Sequence, residues 1–174
     1  VAGMARQRNE SARGVFGQAV STNFFDVLRV QPAMGRGFLP DEGRVAGRDA
    51  VVVLAHETWT EQFGADPGLV GQQVRLTGQP FTVVGIAPAG FKGAEFFLAP
   101  AFYVPLTMLP ALGPEAPPDL LDHRAVRTLS VVGRLAPDAT LARADPEVVA
   151  IARALEQQHH ESNARRGMLL RWER

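Results

Sequence analysis

The sequence predicts an α+β fold, and three observations carry that prediction. Short strand and helix patterns follow one another in mixed order, without the regular alternation of a βαβ array. One β-hairpin stands out at 72–87, QQVRLTGQPFTVVGIA. The run Ala50 to Ala55 is continuous and β-branched, as a strand buried on both faces would be.

The elements follow in chain order. Residues 1–13 are polar and weakly patterned, a strand end or a loop. Val15 to Val20 alternates as a strand does. Ser21, Thr22 and Asn23 then offer helix N-caps, and Asn23 with Asp26 resembles a capping box. Phe24, Val27 and Leu28 share one helical face, and Pro32 is expected to end this two-turn helix. Residues 40–49 have the composition of a polar loop. His56 to Phe63 reads as a helix with Trp59 and Phe63 on one face and Gly64 as its terminator. In the hairpin, Thr77-Gly78-Gln79 is the expected turn, and Phe81, Val83 and Gly85 are expected to face away from Thr82, Val84 and Ile86.

Residues 88–100 form a loop with three phenylalanines, and 102–106 form another strand. Residues 108–126 are proline-rich and read as a surface loop. The stretch 127–135, RTLSVVGRL, predicts a strand. Asp145-Pro146-Glu147 has the chemistry of a helix start, and Val148, Ile151, Ala152 and Leu155 make an apolar stripe after it. Met168 to Trp172 is expected to be the last strand. The elements group into a middle unit, about 21–107, and a strand–helix–strand unit, 127–174, joined by what 1–20 contribute.

Composition narrows the function. With 46% hydrophobic and 21% charged residues, the 174-residue chain has a globular mix and enough length for a real core. Lys+Arg and Asp+Glu both number 18, so bulk charge steers the protein neither to nucleic acid nor to an anionic membrane. The absence of cysteine removes disulfides, thiolate metal sites and cysteine catalysis. No apolar run approaches the ~18–20 residues of a membrane span. The chain opens on Val1 in mid-pattern, and it reads as a segment of a longer protein.

The search for chemistry is short. His159 and His160 are adjacent and point about 100° apart on a helix, so they do not share one ion. Glu156 and His160 stand at i, i+4, which supplies only two ligands. No serine lies in a nucleophile elbow. Gly35-Arg36-Gly37 lacks the helix that a phosphate loop needs, since Pro40 follows at once. No catalytic, cofactor-binding or metal-binding residue is therefore assigned. The aromatics Phe91, Phe96, Phe97 and Tyr103 form a candidate partner or substrate surface, because adjacent Phe96 and Phe97 cannot both point inward from an extended chain.

Several stretches together resemble one family. VSTNFFDVLRVQPAMGRGF (20–38) is followed by VVVLAHETWTEQFGADPGLVGQQVRLTGQPFTVVGIAPAGFKG, then FYVPLTML, LSVVGRLAPDATLARA and ALEQQHHESNARRGMLLR. In order and spacing they are similar to the MacB-type periplasmic core domain of bacterial ABC transporter permeases, over about residues 14–172. Arg29 stands where that pattern usually has glycine, Phe24 where tyrosine is common, and Asp145-Pro146 interrupts a helix that the family runs from near 140.

The resemblance implies a two-lobed domain. A porter-like α/β lobe, split in sequence between 1–20 and 127–174 with its N-terminal half truncated, would carry an inserted mixed α/β lobe over 21–107. It implies a non-catalytic domain on the periplasmic side of the inner membrane. The implied partners are flanking transmembrane helices, a cytoplasmic ATPase (fused or separate), a second permease copy and a periplasmic adaptor, with no nucleic acid and no cofactor. Coupling of ATP hydrolysis to export or release of a substrate is the implied function. The alternative is a free-standing hydrolase or small-molecule-binding enzyme with an unrecognised site.

Overall fold

The computed structural model describes residues 2–5, 13–94, 99–113, 121–124 and 129–172. The chain divides into two compact units, Val1–Leu120 and Leu121–Arg174.

The first unit is built on one mixed sheet. Its strands are β1 (Ala2–Ala5), β2 (Arg13–Val15), β3 (Gly17–Val20), β4 (Met34–Gly35), β5 (Val51–Leu54), β6 (Gln73–Leu76), β7 (Gln79–Ile86) and β8 (Phe102–Pro105). The order is β2-β1-β6-β7-β5-β8-β3, and β4 adds onto β7. β5 runs parallel to β7 and β3 parallel to β8, while the remaining pairs are antiparallel. Two helices of this unit frame the sheet, α1 (Phe24–Leu28) and α2 (His56–Phe63), and α3 (Leu109–Leu112) follows β8.

Strand alternation sorts side chains into two cores. Val52, Leu54, Phe102 and Val104 enter one, with Phe63 of α2, Phe81 and Leu76. Val53 and Tyr103 point the opposite way and meet Phe24, Phe25 and Phe38. Both faces of the central strands are thus covered, which is why Val51–Leu54 reads as an unbroken apolar run. Each large side chain buried in this way contributes about 1.5–3 kcal/mol.

The hairpin forms with a tighter turn than expected. Leu76 pairs with Gln79, so only Thr77 and Gly78 lie in the turn, both at positive φ (50° and 81°) as a type I′ turn requires. Along β7 the alternation breaks. Val52 pairs with Val83 but Val53 with Gly85, so Val84 is an extra bulged residue. Val83 and Ile86 consequently share one core, while Val84 joins the other. The glycine beside the bulge is required by crowding: a Cβ on Gly85 would lie 2.3 Å from the backbone oxygen of Arg36.

Asn23 does stand at the N-cap of α1, but its Oδ1 accepts from the Ser21 hydroxyl (2.7 Å) and makes no cap bond to the helix. The helix stops at Arg29, before Pro32 is reached. Arg29 is left-handed (φ 55°), Val30 N–H donates to Phe25 C=O and Arg29 N–H to Asp26 C=O. This is a Schellman ending with arginine in the place that usually holds glycine. α2 and its terminator fall as expected, with Gly64 at φ 63° and the Trp59 indole donating to Asp66 C=O (2.9 Å).

β1 pairs with β6 and β3 with β8, so the described strands of 1–20 lie in the first unit's sheet.

The second unit contains α4 (Leu141–Gln158) and α5 (His160–Asn163). α4 begins at Leu141 with Thr140 at the N-cap, five residues before the expected Asp145-Pro146 start, so Pro146 lies inside the helix. Of the expected stripe, Ala152 is buried, Val148 and Leu155 are half-buried and Ile151 is exposed. The strands expected at 127–135 and 168–172 are not formed among the described residues 129–135 and 168–172. A strand exists only by pairing, and no strand ladder involves these segments among the described residues. Val131 is 96% exposed and Trp172 69%.

Candidate functional site

An aromatic cluster packs on one side of the first unit's sheet. α1 presents Phe24 and Phe25, β8 presents Tyr103, and the loop after β7 brings Phe91. Ring centroids lie 5.4 Å apart for Phe25–Tyr103, 5.5 Å for Phe91–Tyr103 and 5.8 Å for Phe25–Phe91. These are edge and tilted contacts of the kind that add to simple burial.

Of the four residues marked in the sequence, the structure brings two together. Tyr103 is fully buried and forms the floor. Phe91 is half-buried over it, packed against the cluster. Phe96 and Phe97 lie outside the described residues. Burial pushes the Tyr103 phenol well above its ordinary pKa, and the Glu57 carboxylate adds to the shift, so its hydroxyl is a neutral donor. That hydroxyl donates to Phe91 C=O at 3.4 Å.

The loop carrying Phe91 has further ties that sequence reasoning missed. Gly90 N–H donates to Glu57 Oε1 of α2 (2.9 Å). Gly93 sits so close to Gln18 that an added Cβ would lie 2.5 Å from Gln18 Oε1. That oxygen is buried and has no hydrogen-bond partner among the described residues. Neither Glu57 nor Gln18 belongs to a local motif, since their partners lie far along the chain.

Beside the cluster, Arg36 and Glu42 form a two-pronged ion pair (2.9 and 2.6 Å), and Glu42 also accepts from Leu39 N–H (2.7 Å). Burial alone would raise the Glu42 pKa, but the Arg36 hydrogen bonds and the Leu39 N–H hold it below its ordinary value. The pair pins the turn Pro40–Gly43 that follows Gly35-Arg36-Gly37, so this glycine stretch serves a clamp.

In the second unit, His123, His159 and His160 line an open depression with Asp122 and Glu161. Among the described residues no group of three His, Asp or Glu is placed to hold a metal ion. Glu156, at i, i+4 from His160, accepts from Arg165 N–H (2.7 Å).

No helix among the described residues is long and apolar enough to cross a membrane. No curated protein matches the chain at a significant level. The fold is shared with the periplasmic region of MacB from Actinobacillus actinomycetemcomitans (TM-score 0.56, 17% identity), covering 94% of this chain and 65% of that one. It is also shared with the extracellular domain of the noncanonic ABC-type transporter YknZ from Gram-positive bacteria (TM-score 0.56, 17% identity), covering 97% and 76%. The chain thus spans just under two thirds of the MacB region. The model of the MacB-like periplasmic core domain matches residues 1–151. The chain therefore belongs to the MacB-like periplasmic core domain family, periplasmic domains of ABC transporter permeases.

Proposed function

We propose that this domain transmits the nucleotide state of a cytoplasmic ATPase to the export or release of a substrate, without catalysing a reaction itself. The observation that carries this reading is the family match over residues 1–151. A mixed sheet covered on both faces by the two cores is consistent with it. In this reading the permease acts as a dimer and meets a periplasmic adaptor. Residues 127–174 belong to a porter-like lobe, and 21–107 are the inserted lobe. The loop of Phe91, Phe96 and Phe97 offers the surface for substrate or partner, with Tyr103 supporting it from beneath.

The test uses the parent permease with its ATPase in proteoliposomes. The chain has no cysteine, so Val45→Cys, at an exposed position, gives this domain a single spin label. The label-to-label distance between two permease copies is expected to differ between ATP-bound and nucleotide-free states, and Phe96→Ser with Phe97→Ser to lower transport several-fold. Distances that ignore nucleotide during active transport would refute the coupling, and undiminished transport would refute the aromatic surface.

A further inference from the structure

We propose that residues 88–94 are a hinged strap that opens locally, while the sheet stays folded, and uncovers the aromatic floor of Phe24, Phe25 and Tyr103. This goes beyond the transport reading and does not depend on it.

The strap has the parts that such a motion needs. It leaves β7 at a firm anchor, where Ala87 N–H donates to Leu54 C=O (2.8 Å). Two glycines, Gly90 (φ 77°) and Gly93 (φ 74°), hold the left-handed conformations that let the backbone swing. Among the described residues, two side chains of the sheet and α2 hold the strap down by hydrogen bonds, and they differ in strength. The Glu57 carboxylate receives Gly90 N–H at 2.9 Å, a charge-assisted bond on an exposed residue. The Tyr103 hydroxyl reaches Phe91 C=O only at 3.4 Å, near the limit of a hydrogen bond. Against these stands a cost of closure. With Gly93 packed against it, Gln18 Oε1 is buried without a partner among the described residues, and an unsatisfied buried acceptor favours any state that lets water reach it. Phe91 supplies the apolar contact that brings the strap back, against Phe24, Phe25 and Tyr103. The floor itself is well made without the strap, since Phe25 and Tyr103 pack at 5.4 Å on the sheet.

Hydrogen–deuterium exchange on the domain tests the proposal. The Gly90 amide is expected to exchange by an opening that is insensitive to low denaturant, while the amides of β7 exchange only with global unfolding. Glu57→Ala should speed Gly90 exchange about tenfold and leave β7 unchanged. Gln18→Leu removes the unsatisfied acceptor and should slow Gly90 exchange. If Gly90 follows the same denaturant dependence as β7, or if both substitutions leave its exchange unmoved, there is no local opening and the proposal fails.

Discussion

At Arg29 a side chain occupies a backbone conformation that suits glycine. The left-handed region costs a non-glycine residue about 1–2 kcal/mol, set against the extra entropy glycine loses on folding. Arg29→Gly is therefore expected to stabilise the first unit by about 0.5–1 kcal/mol, read as a higher urea midpoint at unchanged slope. A lower midpoint would mean that the arginine side chain makes a compensating contact. The residue was legible in the sequence only as a departure from a family pattern, because the strain belongs to the Schellman ending and composition does not reveal it. Glu57 and Gln18 were not legible at all. Each matters through a partner brought near by folding, Gly90 for one and Gly93 for the other.

The elements that could be read were those with local signals. α2 has its terminating glycine and the hairpin has its Thr77-Gly78 turn, so both appear close to where the pattern puts them. The bulge at Val84 could not be read, since it records how β5 and β7 pair. The start of α4 was misplaced because Pro146 carries the chemistry of a first turn, yet the helix starts earlier, at Leu141. The strap belongs to this scale, and its carboxylate pin makes it sensitive to acid. The Gly90 N–H holds the Glu57 carboxyl below its ordinary pKa against the opposing effect of burial, and its own backbone, His56 and Lys92 assist. A lowered folded-state pKa means the stabilisation is present above the ordinary glutamate value, about 4.3, and is lost as pH falls through the lowered one. The Gly90 amide resonance should accordingly titrate below about pH 4.3, and Glu57→Gln should flatten that titration. A Gly90 signal that titrates with a neighbouring group in the Gln variant would assign the effect to that group.

Across the whole molecule, the two units differ in how well they bury what they contain. The first encloses Phe81, Phe102, Leu54 and Tyr103 almost completely, whereas the second leaves Leu129, Val131, Ile151 and Leu169 largely exposed. On warming, amides of α4 are expected to lose protection while those of β7 keep theirs, as followed by exchange and mass spectrometry. Simultaneous loss would show one cooperative body instead. The strand patterns at 129–135 and 168–172 show why sequence alone could not settle this architecture. Period and propensity name a segment that can be a strand, but hydrogen-bonding partners make it one. Sheet order was equally hidden, because neighbours such as Met4 and Leu76, or Gly17 and Phe102, are distant in sequence. That pairing has a kinetic consequence for a chain delivered N-terminus first. β3 has no strand to lie against until β8 has emerged, and until then β5 keeps an open edge. Such long loops must close before their contacts reward them, so the first unit should be a slow folder. Its early strands need shelter from one another during the wait.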